Sequence, residues 1–183
     1  MARTKRITKR ITPNNTVATG SPNGAEVNIL LSTGYDWKIG KLTIGPTASY
    51  QYTNVRLDGF TEAGAFLPLI VAGQSTESSR SSLGFHATYD THVGKYPVRP
   101  EARLSWQHEF GATASSITSR FANIGGAPFT VTGPKVGRDS LIVGAGATIQ
   151  WSPRCATYLY YDGEVGRTNY NSHSISGGFR FQF

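Results

Sequence analysis

"SHSISGGFRFQF", residues 172–183, carries three phenylalanines spaced by two. Ile175, Gly177, Phe179, Phe181 and Phe183 fall on one side of an extended chain. Ser174, Ser176, Gly178, Arg180 and Gln182 fall on the other. Side chains alternate along a strand and repeat every 3.6 residues along a helix, so this stretch reads as a strand with one apolar and one polar face.

The same period runs back through the sequence. In residues 25–37, Ala25, Val27, Ile29, Leu31, Tyr35 and Trp37 oppose Glu26, Asn28, Leu30, Ser32, Gly34 and Asp36. In residues 41–53, Leu42, Ile44, Pro46, Ala48, Tyr50 and Tyr52 oppose a face of Lys, Thr, Gly, Ser and Gln. Residues 82–90 set Leu83, Phe85, Ala87 and Tyr89 against Ser82, Gly84, His86, Thr88 and Asp90. Residues 98–110 set Val98, Ala102, Leu104, Trp106 and Phe110 against Arg99, Glu101, Arg103, Ser105, Gln107 and Glu109. Residues 141–151 set Leu141, Val143, Ala145, Ala147, Ile149 and Trp151 against Gly144, Gly146, Thr148 and Gln150. Residues 156–162, "ATYLYYD", form a strand whose faces stay ambiguous. With the last strand there are seven, each long enough to cross a bilayer when tilted.

The connections alternate in length. "KIG", "THVGKYP" and "SPRC" are short; residues 54–81, 111–140 and 163–172 read as longer loops rich in Gly, Ser, Thr and Asn. Short turns on one side and long loops on the other mark a transmembrane barrel, with the long loops extracellular. Trp37 and Trp151 stand beside short turns, where an aromatic girdle belongs. The fold class expected is all-β: an antiparallel transmembrane β-barrel in the bacterial outer membrane, with outer-membrane lipid as its surroundings. The competing fold is a soluble β-sandwich or lipocalin-like barrel, which also alternates but turns its apolar face inward.

Composition agrees with the membrane reading. Charged residues are 16% of the 183, below the roughly 25% of soluble domains, and glycine is high at 21. The net charge is +7, but Arg3, Lys5, Arg6, Lys9 and Arg10 carry five of those charges, leaving about +2 on the rest. No basic face for nucleic acid is visible. No run of about 18 apolar residues predicts a transmembrane helix, and "MARTKRITKRIT" has no apolar core of a signal peptide. The single Cys155 excludes an intrachain disulfide. Residues 1–24 read as a basic arm and loop and 25–183 as the barrel. Residues 4–12 are a candidate eighth strand, with Ile7 and Ile11 sharing a face with Lys5 and Lys9.

Polar chemistry is sparse. His86, His92, His108 and His173 lack metal-ligand spacing, so no metal and no cofactor is expected. His108 and Glu109 lie on opposite faces of a strand, unlike a zinc-protease helix. Ser105 and His108 are also on opposite faces, so no enzyme is expected and no catalytic residue is assigned. "GAGATIQ" lacks the third glycine of a dinucleotide site and reads as a thin strand wall. Asp36, Asp90, Arg99, Glu101, Arg103, Glu109 and Arg180 form a candidate ladder of lumen charges.

"GYDWKIGKLTIGPTASYQYTNVRLDGFTEAGA" (34–65), "RPEARLSWQHEFG" (99–111), "GRDSLIVGAGATIQW" (137–151) and "YLYYDGEVGRTNYNSHSISGGFRFQF" (158–183) resemble the C-terminal part of autotransporter β-domains. The resemblance implies a type V secretion translocator that anchors and exports an N-terminal passenger. The terminal strand resembles the assembly signal of such barrels, with Phe179, Phe181 and Phe183 read by barrel-assembly machinery through β-augmentation. A full family barrel has twelve strands against seven here, so the expected protein is a truncated translocator. The alternative is a self-standing small barrel acting as an adhesin or as a structural, porin-like protein.

Overall fold

The computed structural model describes residues 2–5, 7–12 and 14–182. Phe183, part of the expected assembly signal, and Arg6, within the candidate eighth strand, lie outside them. The elements are β1 (Ala2–Lys5), β2 (Thr8–Ile11), β3 (Val17–Gly20), β4 (Asn23–Gly34), β5 (Trp37–Ile39), β6 (Leu42–Leu57), β7 (Phe60–Thr61), β8 (Leu69–Val71), β9 (Gln74–Tyr89), β10 (Thr91–Val93), β11 (Tyr96–Glu109), β12 (Ser116–Phe121), β13 (Phe129–Thr132), β14 (Asp139–Ser152), β15 (Cys155–Arg167) and β16 (Tyr170–Phe181). No helix occurs among the described residues.

The main sheet runs β1-β4-β6-β9-β11-β14-β15-β16. Its seven long members are the seven strands read from the alternation, and the ladders from β9 through β11, β14 and β15 to β16 are antiparallel. Two compact units share these strands: residues 1–29, 51–79 and 111–135 in one, and 30–50, 80–110 and 136–183 in the other.

In the second unit the turns are tight. Ile39 pairs with Leu42 and Val93 with Tyr96, leaving Gly40-Lys41 and Gly94-Lys95 as two-residue loops. Gly40 and Gly94 both take φ 60°, the glycine-first pattern of type II′ hairpins. The third short connection is Pro153-Arg154, between paired Ser152 and Cys155.

Three expectations change. Residues 163–172 are no loop: β15 and β16 continue through Glu164↔Ser172 to a two-residue turn, Thr168-Asn169, with Asn169 at φ 58°. Of residues 54–81, β6 and β9 claim all but 58–73, which hold β7 and β8; residues 111–140 hold β12 and β13. Residues 4–12 are not one strand. β1 pairs with β4 from Ala2↔Glu26 to Lys5↔Asn23, and β2 pairs with β3. The cause is a hairpin turn in "TPNNT", where Thr12 N–H donates to Thr16 C=O at 2.9 Å and Asn15 takes φ 57°.

Within the first unit, β13-β12-β8-β7 form a separate sheet. The Arg10 guanidinium grips the Glu62 carboxylate through both oxygens, at 3.0 and 2.5 Å, and Arg10 also donates to Leu67 C=O. Glu62 also accepts the Leu69 N–H.

Burial decides between the two competing folds. Among the described residues no large apolar side chain is buried; Ala18 and Ala156 are, with Pro22 and Pro68. Phe179 is 78% exposed, Ile175 76%, Leu159 62% and Phe85 59%. A soluble sandwich buries such residues in a core; here the apolar face waits for an apolar solvent.

Candidate functional site

Residues directly opposite in a ladder share a face, so register assigns the faces across the second unit. Arg103 pairs with His86 and with Gly144, which pairs with Asp162, which pairs with Ser174. One step along, Thr88, Glu101, Gly146, Tyr160 and Ser176 line up the same way. This face is polar. The opposite face runs Phe85, Leu104, Val143 and Gly163, then Ala87, Ala102, Ala145, Tyr161 and Ile175. The ambiguous 156–162 strand is resolved: Tyr158, Tyr160 and Asp162 are on the polar face, Leu159 and Tyr161 on the apolar one.

All seven charges named from the sequence reach the polar face or its rim. Arg99 donates to Asp90 at 2.6 Å, and His86 stands 3.0 Å from Asp36. Arg80 pairs with buried Glu109 at 2.7 Å. Arg103 pairs with Asp162. Gly144 lies between that pair in the register, and its missing side chain opens the path from β11 to β15. Glu101 and Arg180 have no ion-pair partner among the described residues. Asp90, in the turn beyond β9, is held below the usual carboxylate range by the hydrogen bond from Arg99. Of the partners, only His86 was placed on the polar face by its parity; Arg80 fell within the expected loop 54–81 and Asp162 on the strand whose faces were ambiguous.

Ser32, Ser49, His86, Arg103 and Ile142, from five strands, line a single recess of about 800 Å³. Tyr160 lies flat over Gly146, where any Cβ would run into its ring, and its hydroxyl meets Thr148 Oγ1 at 3.0 Å. Tyr158 covers Gly178 in the same manner. The expected thin wall at "GAGATIQ" is therefore a seat for tyrosines.

The apolar face is rimmed at both ends. Trp151 packs edge-on against Tyr96 at 4.9 Å and donates to Thr157, while half-exposed Trp37 stacks edge-on with Tyr35. Toward the opposite ends of the strands, Trp106 and His108 both reach Asp139, at 3.1 and 2.8 Å, and Phe110 packs on His108. Tyr161 reaches His173 at 2.8 Å. Polar tips on apolar bodies suit a membrane interface. His108 on this face and Ser105 on the other stand apart, as parity predicted.

β16 pairs only with β15 among the described residues. Phe179 and Phe181 lie on the apolar face opposite Thr157 and Cys155, and Arg180 lies on the polar one.

A sheet with one ion-paired face, one exposed apolar face and aromatic rims is the wall of a membrane barrel. Residues 2–162 match the family model described as Autotransporter beta-domain. The chain belongs to the autotransporter β-domain family. Two curated relatives, both named "Extracellular serine protease" and both from Serratia marcescens, are each 26% identical over 161 residues, 88% of this chain. That is 15% of each relative's length, so the chain spans a small part of them. Autotransporter membership places the sheet in a transmembrane β-barrel of the outer membrane of a Gram-negative bacterium, in a translocator class whose full-length members carry a passenger.

Proposed function

We propose that this chain is part of the barrel by which an autotransporter exports and anchors its passenger, with residues 25–183 forming the membrane portion and residues 1–24 an arm. The observation that carries the reading is the polar face: Arg80–Glu109, Arg99–Asp90 and Arg103–Asp162 are ion-paired across strands, while Glu101 is left free to meet a passing chain. In a barrel this face lines the lumen, and paired charges stiffen the wall without holding the cargo. Phe179, Phe181 and Phe183 serve as the signal read by the barrel-assembly machinery. The long loops face outward.

The protease activity in the relatives' names belongs to those proteins, and catalysis is not part of the role proposed for this segment. The second reading is a self-standing small barrel acting as an adhesin or as a structural, porin-like protein.

The test is export. The chain, completed by the remaining strands of a family barrel, is expressed behind a signal peptide and an epitope-tagged segment in a Gram-negative cell. Cleavage of the epitope by protease added outside supports the proposal. An epitope that stays protected, with the barrel protein inserted in the outer membrane, refutes it.

A further inference from the structure

The four-stranded sheet of the first unit ends on β13, whose one ladder partner among the described residues is β12. All four of its residues are exposed. Gly133 N–H donates to Ser115 C=O at 2.9 Å. Amides alternate sides along an antiparallel strand, so those of Phe129 and Val131 point to β12 as well. The N–H and C=O groups of Thr130 and Thr132 therefore point away, into the open edge. Pro128 and Pro134 occupy the next outward positions and have no N–H, which limits the edge to two donors.

Open edges are normally guarded by charge. The same unit has an edge strand that carries charge: β2, with Lys9. "FANIGGAPFTVTGP", residues 121–134, holds no charge at all.

We propose that β13 is a self-association edge, along which two copies of this chain pair antiparallel with Thr130 opposite Thr130 of the second copy. Two registers keep faces matched. Centring on Thr130 sets Phe129 against the second copy's Val131, twice by symmetry, and extends the hydroxyl contact of Thr118 with Thr130 at 2.9 Å. Centring on Val131 sets Phe129 against Gly133, which offers no side chain. Aromatic with β-branched pairs strengthen a ladder, so the first register wins. An uncharged edge does not repel its own copy, and the contact is isologous, closing at two.

The test uses the full chain in outer membranes, with Cys155→Ser removing the competing thiol. Directly opposed Cα atoms of a hydrogen-bonded pair lie about 5.5 Å apart, within disulfide range. Thr130→Cys is expected to give a covalent dimer on non-reducing gels, well above Val131→Cys, Thr132→Cys and the Ser116→Cys control. Thr130→Pro, which removes only an outward N–H, should weaken dimerisation seen by chemical cross-linking by about tenfold, the loss of two hydrogen bonds at the two-fold axis. A Thr130→Cys dimer no stronger than the control, a maximum at Val131, or unchanged association in Thr130→Pro overturns the proposal. So does a covalent adduct to a different polypeptide in place of the dimer.

Discussion

Ala145 and Gly146 are neighbours in β14 and face opposite ways, so they test the assignment of faces one residue at a time. Ala145→Arg puts a guanidinium on the lipid side and is expected to cost about 2–4 kcal/mol near the midplane. The polar side tolerates charge, but Gly146 is not a free position there, because the Tyr160 ring rests on it. Gly146→Ser is expected to cost about 1–3 kcal/mol by overpacking against the Tyr160 ring and the Leu159 C=O, and Tyr160→Ala relieves only the first of these. Denaturant unfolding in lipid vesicles reads all three. A Gly146→Ser cost above that of Ala145→Arg would mean the faces are inverted. At Glu62 the issue is protonation. The Arg10 hydrogen bond, helped by the Leu69 amide and opposed by burial, holds this carboxyl below its ordinary 4.5. A depressed carboxyl stabilises the folded state above its unfolded pKa and loses that effect as pH falls through the folded value. The β2–β3 hairpin should therefore become progressively more protease-sensitive as pH falls below the ordinary 4.5. In Glu62→Gln the sensitivity should be present already at pH 7, with no acid step. A wild-type hairpin equally resistant at pH 3 and pH 7 would show that the pair does not hold it.

At the scale of the element, β16 sets two strongly exposed phenylalanines, Phe179 and Phe181, on a strand with one open edge among the described residues. Phe179→Ser with Phe181→Ser keeps the ladder and the polar face but removes the alternate aromatics. Deletion of Phe183 removes the last of them. With this segment carried in a complete family barrel, each change is expected to lower the yield of assembled, heat-resistant protein in the outer membrane severalfold, read on unheated gels. Wild-type yield in both would remove the case for an assembly signal. This strand was legible from Ile175, Phe179 and Phe181 alone, because strict alternation leaves no helical option. β14 was legible for the same reason. The elements that were not legible failed for definable causes. In "YYDGEVGRTNYNSHS", glycines and polar residues dominate, and a polar lumen face beside a small-residue lipid face resembles a loop. The decisive signal was Asn169, a residue that accepts positive φ and so closes a two-residue turn. In "ITKRITPNNT" the two isoleucines suggested one strand, but Asn15 and the threonines at 12 and 16 make a hairpin. The charge ladder was found as single residues, yet its pairing was hidden. Arg103 meets Asp162 59 positions away, past Gly144, and no local pattern encodes that distance.

For the molecule as a whole, the strand order leaves two edges of the second unit open among the described residues, the outer side of β4 over residues 30–34 and that of β16. Unpaired backbone groups in hydrocarbon cost several kcal/mol each, so a sheet in lipid must close or be completed by further strands. The purified chain refolded alone in detergent is expected to show β-rich circular dichroism but no faster-migrating band on unheated gels. A compact band that shifts on boiling would mean that β4 and β16 pair with each other, and would favour the small-barrel reading.

The two aromatic rims also set a length. Trp106 lies opposite Leu141, and Trp151 lies ten residues further along β14. Ten steps of a strand cover about 33 Å, or about 25 Å of height at the usual tilt. The protein thus carries its own ruler for bilayer thickness. A membrane of longer acyl chains would submerge His108 and Asp139, and a thinner one would strand Leu141 in water. Where this barrel settles among membranes is written in the spacing of its tryptophans.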